Sequence, residues 1–428
     1  MVDVRPFRAI RYTALAGEPI DLITQPYDKI DPQMQEAYYE RSLYNFCRLI
    51  LPIEKERYTT AKIRFQEWLR RGILEKDEAP AFYVCRQQFA LDGKCLTRTG
   101  VIIALRLYNY DEKMVFPHEI TYDAPKADRL SMMRLVQKDL EPVFLMYSDP
   151  ERTTISIFKG VSKTEPVFEA EDSTGVRHTI WRVTEPKKIE LLQAAFDPMK
   201  LVITDGHHRY ESAITYRDEQ RKLGTEYNAD SAFNFHMSLL VPIQDEGLLA
   251  LSAHRLLKKH VLTDQALNLL SRLFIISEID PTVENLERFL ASHRNEHAFC
   301  IYARGNAYGL VLKHEKAVYE LVNAKSSNET KLFDVVILRD VIFRSILKTG
   351  ELKMDEDISY ERWVRTAVEK VDKGSAKLAF LVNPIDPKVV WKIAQENERI
   401  PEKSTDFYPK PVSGLTMMDI SPEEKILR

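Results

Sequence analysis

Asp205, His207, His208 and Arg209 stand around a single glycine in the run Leu201-Val202-Ile203-Thr204-Asp205-Gly206-His207-His208-Arg209-Tyr210. Leu201 to Ile203 read as a buried strand, Gly206 as a sharp turn, and the segment from His207 to about Leu223 as a helix. A helix N-terminus carries unpaired N–H groups and partial positive charge, so two imidazoles and a guanidinium placed there suit a phosphate or carboxylate. Asp205 fits that picture only if a divalent cation stands between it and the anion, or if it takes a proton from a hydroxyl. Both are features of phosphoryl-transfer sites. The plainer reading is a geometric Asp-Gly turn, with Asp205 capping the helix and His207, His208 and Arg209 solvated.

Three further groups have types suited to the same chemistry. In Phe116-Pro117-His118-Glu119-Ile120-Thr121, His118 and Glu119 offer a metal ligand or a general base. Shortly after, Lys126 and Arg129 sit near the start of an expected helix running to about Lys138, where they can hold phosphates or simply form surface ion pairs. Near the C-terminus, Lys403, Ser404, Thr405 and Lys410 flank Phe407 and Tyr408 in an irregular segment. Such a segment either closes over an anionic ligand or straps onto the surface through its aromatics.

The elements that must position these groups can be read from periodicity. A helix is expected from Tyr58 to Arg71, stopped by Gly72, followed by a hairpin of strands about Ala81 to Val84 and Gly100 to Leu105. Strands are expected again at Val143 to Tyr147, Thr154 to Phe158, Thr179 to Val183 and Asn234 to Pro242, the last making His236 a buried residue. Residues 262–321 read as two helices and a hairpin, with Asp280-Pro281-Thr282 as a cap. Helices follow at 332–347, 360–370 and 387–398, around a strand at Lys377 to Val382. Strands come in clusters and do not alternate regularly with helices, so the expected class is α+β, with mixed or antiparallel sheets flanked by helices. The expected division is residues 1–260, bearing the Asp-Gly-His-His-Arg turn, and residues 261–428, a C-terminal α+β region bearing the tail.

Composition narrows the function classes. A formal net charge of -3 gives no electrostatic reason to expect nucleic acid. No apolar stretch approaches the roughly 20 residues of a membrane span, and the polar opening Met1 to Pro6 is unlike a secretory leader, so a cytoplasmic protein is expected. Cys47, Cys85, Cys95 and Cys300 lack Cys-x-x-Cys spacing and suit reduced thiols. The usual phosphate-binding loop, dinucleotide fingerprint and nucleophile elbow are absent from the sequence.

Val4 to Tyr12, Pro26-Tyr27-Asp28, Pro117-His118-Glu119, Pro125 to Leu130, Asp205 to Tyr210, Ala253-His254-Arg255 and Lys403 to Lys410 together resemble the bacterial and archaeal domain of unknown function 1015 family. One departure is Thr24-Gln25-Pro26-Tyr27-Asp28-Lys29-Ile30, where the family usually reads Ala-Pro-Pro-Tyr-Asp-Val-Ile. More distantly, the Asp-Gly-His-x-Arg turn is similar to the phosphate-binding turn of ParB/sulfiredoxin-like proteins, including free serine kinases. That resemblance implies a ParB/sulfiredoxin-like core, with Gly206, His207, His208 and Arg209 as nucleotide phosphate binders and Asp205 as an acid/base or magnesium-associated carboxylate.

The leading expectation is therefore a small-molecule kinase using ATP or ADP with magnesium to phosphorylate the hydroxyl of free serine or a similar metabolite, with Asp205 or Glu119 as base. A nucleotide-binding regulatory module without turnover is the second reading. A metal-dependent hydrolase using His118, His207, His208 and Asp205 is the third, disfavoured because adjacent histidines at a helix start point apart. The acceptor and the oligomeric state are left open by the sequence.

Overall fold

The computed structural model describes residues 1–119, 121–223, 228–322, 326–401 and 403–428. Its chain forms two compact units. The first comprises residues 1–117, 121–249 and 409–428, the second residues 118–120 and 250–408. The fold is α+β.

The first unit is built on a nine-stranded mixed sheet. Its central hairpin, Phe82–Leu91 and Lys94–Arg106, turns at Asp92 and Gly93, both at positive φ, which closes the two strands in register from Tyr83↔Ile102 to Leu91↔Lys94. Phe235–Pro242 lies antiparallel to Lys94–Arg106 and parallel to Val143–Tyr147, and Leu201–Asp205 pairs antiparallel with Val143–Tyr147 on its other side. Val143 to Tyr147 and Leu201 to Ile203 are buried at every position, as expected of strands covered on both faces. The register of Leu201–Asp205 slips between Ile203 and Asp205, where the Thr204 hydroxyl donates to the Phe144 carbonyl at 2.8 Å. The bulge ends the strand just before the turn into the helix His207–Lys222.

The second unit carries a six-stranded antiparallel sheet in the order Phe274–Ile279, Asn306–Leu312, Ala298–Ala303, Leu378–Val382, His254–Leu257, Ile358–Glu361. Alternation puts Phe299, Ile301, Phe380 and Leu257 on one face, packed with Leu270 and Val341, and Cys300, Tyr302, Leu381 and Leu256 on the other, packed with Leu286 and Val368. Helices on both faces supply those partners, among them Asp264–Leu273, Val283–Ser292 and Val364–Asp372, together with a π-helical stretch, Ile337–Ile346.

Two elements differ from expectation. Thr154 to Phe158 is not a strand but part of the helix Thr153–Val161. The Asp149 carboxylate accepts the N–H groups of Thr153 and Thr154 at 3.0 and 2.9 Å and the Thr154 hydroxyl at 2.6 Å, which fixes the first turn. A five-residue run rich in β-branched side chains does not by its pattern separate strand from helix. Residues 360–370 begin as the strand Ile358–Glu361, and helix starts only at Val364. Among the described residues no helix is long and apolar enough to cross a membrane.

Candidate functional site

Gly206 is the N-cap of the helix His207–Lys222, at φ +93°, and no side chain caps that helix. Asp205 is thus not its capping residue. Its carboxylate instead lies between two cations: Oδ1 is 2.5 Å from Lys410 Nζ, and Oδ2 is 2.7 Å from Arg209 Nη2, one helical turn on. The three side chains are only 13%, 7% and 8% exposed for Asp205, Lys410 and Arg209. Burial by itself pushes the Asp205 proton affinity up, but Lys410 and then Arg209 overcome it and hold the carboxyl well below the usual carboxylate range. Asp205 is therefore firmly ionised.

Arg209 is fixed from both ends. Its Nη1 donates to the Pro142 carbonyl at 2.6 Å, and although burial disfavours its charge, Glu141, Asp205 and Asp28 keep it protonated. A β-carbon on Gly206 would meet the Arg209 guanidinium at 3.0 Å, so the glycine serves both the turn and the close approach of that side chain. Lys410 is held through its backbone: Gln87 Nε2 donates to its carbonyl at 3.1 Å, and buried Arg98 donates to Gln87 and to the Pro409 carbonyl.

The other residues singled out in the first unit have engaged side chains. Arg129 is buried, donates to Asp128 at 2.9 Å, lies 3.7 Å from Glu141 and stacks over the Tyr27 ring at 3.9 Å. Glu141 in turn accepts from the Tyr27 N–H at 3.1 Å and the Ser413 hydroxyl at 2.8 Å. Lys126 pairs with Asp123 at 3.1 Å and Glu211 at 3.4 Å. His207 is buried, and His208 Nε2 accepts the Tyr122 N–H at 3.0 Å.

The second unit gathers His118, Glu119 and Thr405. The Thr405 hydroxyl donates to Glu119 Oε1 at 3.1 Å and lies 2.8 Å from His118 Nε2. One hydroxyl has one proton, so with it given to Glu119 the threonine oxygen accepts from His118 Nε2. His118 is fully buried and meets Phe407 edge-on at 6.2 Å. Ser404 Oγ donates to the Pro401 carbonyl, and exposed Lys403 adopts φ +56°.

Both Asp205 oxygens already face protein cations, and among the described residues no three side chains of ligating type are grouped to hold a metal ion. The residues around Asp205 do not fit a protein-held magnesium ion. What they do present is a buried carboxylate flanked by two cations at a helix start, an arrangement in which an arriving oxyanion competes for Lys410 and Arg209.

Glu141, Arg98, Lys29 and the Pro142 carbonyl shape this cluster without having been singled out as site residues. Lys29, which adds to the positive field on Asp205, stands in the Tyr27-Asp28-Lys29 segment whose pattern was visible but whose role was not.

Comparison with curated proteins finds no match. Among solved structures the chain is similar to a free serine kinase variant in complex with AMP, at 13% identity and TM-score 0.37, covering 76% of this chain and 94% of that one. It is also similar to a conserved hypothetical protein from Pyrococcus furiosus, at 14% identity and TM-score 0.34 over 76% of this chain and 96% of that one. A third is SbnI with a C-terminal truncation from Staphylococcus aureus, at 10% identity and TM-score 0.33 over 74% and 87%. The pattern of the family described as Protein of unknown function (DUF1015) matches residues 4–336, more than half of the chain, and the protein belongs to that family.

Proposed function

We propose that this protein is a nucleotide-dependent small-molecule kinase that transfers a phosphoryl group from ATP or ADP to the hydroxyl of free serine or a related metabolite. The observation that carries the reading is the ionised Asp205 between Lys410 and Arg209 at the start of the helix His207–Lys222. The similarity of the Asp-Gly-His-x-Arg turn to the phosphate-binding turn of ParB/sulfiredoxin-like proteins supports it.

In this reading nucleotide phosphates draw Lys410 and Arg209 toward themselves, with the helix start and the Gly206 backbone completing the cradle. Asp205 then loses the charges that depress its proton affinity, and becomes able to take the acceptor's hydroxyl proton. The acceptor oxygen forms its bond to the terminal phosphorus as the bridging phosphorus–oxygen bond breaks, and the shortened nucleotide leaves with the electron pair. Catalysis is mainly positioning and charge neutralisation. Magnesium enters as the nucleotide's own counter-ion, and no step is assigned to a protein-bound ion.

The strong ionisation of Asp205 also favours a second reading, a nucleotide-binding module without turnover, because a carboxylate that keeps both cations is a poor base. Phosphorus NMR of the protein with magnesium, ATP or ADP, and free serine separates the two. A phosphoserine resonance that disappears in Asp205→Asn is the expected result. Broadened nucleotide resonances without product would replace the kinase by the binding module, and neither effect would remove both.

A further inference from the structure

The second unit contains a cavity of about 150 Å³ lined by Arg255, Arg339, Arg344, Phe343, Tyr360 and Glu351, among others. Arg255 is its unusual member. It is 5% exposed, and among the described residues its hydrogen-bond partners are two backbone carbonyls, Ala253 O and, at 3.4 Å, Lys403 O, with the Tyr360 ring 5.6 Å from the guanidinium. No described carboxylate pairs with it. Burial accordingly pushes its proton affinity down to about 10, with only Tyr360 acting against the shift. A guanidinium has five N–H donors, and a buried one that lacks a counter-ion is costly to keep.

The other two arginines reach the cavity from the π-helical stretch Ile337–Ile346. Its wider winding sets Arg339, Phe343 and Arg344 on a common wall, and π-helical turns occur often at functional sites. Arg339 and Arg344 share one carboxylate, Asp340, at 2.6 and 3.0 Å. With exposed Glu351 also lining the cavity, three guanidinium groups face two carboxylates among the described residues. The charge left over sits on Arg255, at the buried side.

We propose that this cavity is a binding site for a small oxyanion of the phosphate or carboxylate class, with Arg255 as its buried anchor and Arg339 and Arg344 closing it. The planar fork of arginine matches the two oxygens such a group presents. The volume is below the range of drug-sized pockets, which suits a free small anion and not a nucleotide. The proposal stands apart from the kinase reading, since the residues around Asp205 belong to the first unit.

The test is thermal unfolding of the full chain against inorganic phosphate and against acetate, each matched to potassium chloride of equal ionic strength. A ligand that binds only the folded state raises Tm saturably with its concentration. The expected result is such a rise with at least one of the two anions, and the anion that produces it identifies the class. Arg255→Met should abolish the rise, and Arg344→Gln, at a half-exposed position that tolerates change, should weaken the apparent affinity about tenfold. Lys410→Met should retain the rise, which separates this cavity from the Asp205 cluster. No saturable rise beyond the chloride control with either anion, or a rise untouched by Arg344→Gln, would overturn the proposal.

Discussion

Lys410 Nζ lies 2.5 Å from Asp205 Oδ1, joining two residues 205 positions apart in the chain. Asp205 is also held by Arg209, so removing its charge leaves two buried cations facing each other. Asp205→Asn should lower stability by about 3 kcal/mol, the scale for breaking a buried ion pair by deleting one partner. Urea unfolding at neutral pH measures this, and a loss below about 1 kcal/mol would show that the cluster relaxes freely.

The same cluster sets an acid limb. The folded-state carboxyl of Asp205 is held below its unfolded value of about 3.9, so its stabilisation is complete above about pH 4 and is lost as pH falls further. Unfolding free energy followed from pH 5 to pH 2 should fall less steeply in Asp205→Asn than in the parent protein. Parallel slopes would contradict the assignment.

A second buried pair acts in the opposite direction at higher pH. Asp139 and His236 lie 3.5 Å apart and are almost fully buried. Burial pushes the Asp139 carboxyl up to about 8 and the His236 imidazole down to about 3, so the interior keeps both neutral. Below about pH 6.5 the two effects on stability oppose each other. Between about 6.5 and 8 only Asp139 acts, and its raised value means that stability declines as pH rises, by about 2 kcal/mol over that window. Asp139→Asn should flatten the decline, as denaturant titrations at pH 6.5 and 8 would register.

Gly206→Ala should combine two penalties: a left-handed backbone, at about 1–2 kcal/mol, and a β-carbon pressed against the Arg209 guanidinium. Tm should fall, and nucleotide affinity measured by calorimetry should drop at least tenfold if Arg209 is the phosphate contact of the proposed function. A variant that loses Tm but keeps full affinity would restrict Gly206 to turn geometry.

Thr405 links His118 to Glu119 through one hydroxyl. Thr405→Ser should preserve the His118 imidazole nitrogen shifts, and Thr405→Val should change them and cost about 1 kcal/mol or more through unsatisfied partners. Identical nitrogen-15 spectra for the two variants would exclude the hydroxyl relay.

Much of the architecture is legible in the sequence where burial is uniform or alternation regular. Leu201 to Ile203, Val143 to Tyr147 and Leu378 to Val382 announce strands because they lie within sheets covered on both sides. Thr154 to Phe158 misleads because its state is decided by Asp149, a capping group outside the run. At the candidate site, Asp205, Gly206 and Arg209 are visible within one short motif and Lys410 stands out in the tail, whereas the pairing of Lys410 with Asp205 is not visible. Nothing local to Lys410 points to residue 205, since that pairing depends on the Gln87 and Arg98 contacts that fix the tail backbone. Glu141 shows no motif either, because its work is to receive Tyr27 and Ser413 from segments far apart in sequence.

The passage of residues 250–408 through the second unit before the chain returns at Pro409 has a consequence for biosynthesis. On a translating ribosome Asp205 and Arg209 emerge some two hundred residues ahead of Lys410, so the nascent first unit waits with one of its three charges missing. Only after residues 250–408 have been made can that ion cluster close. A product terminated before Lys410 would therefore lack one of the two cations that touch Asp205.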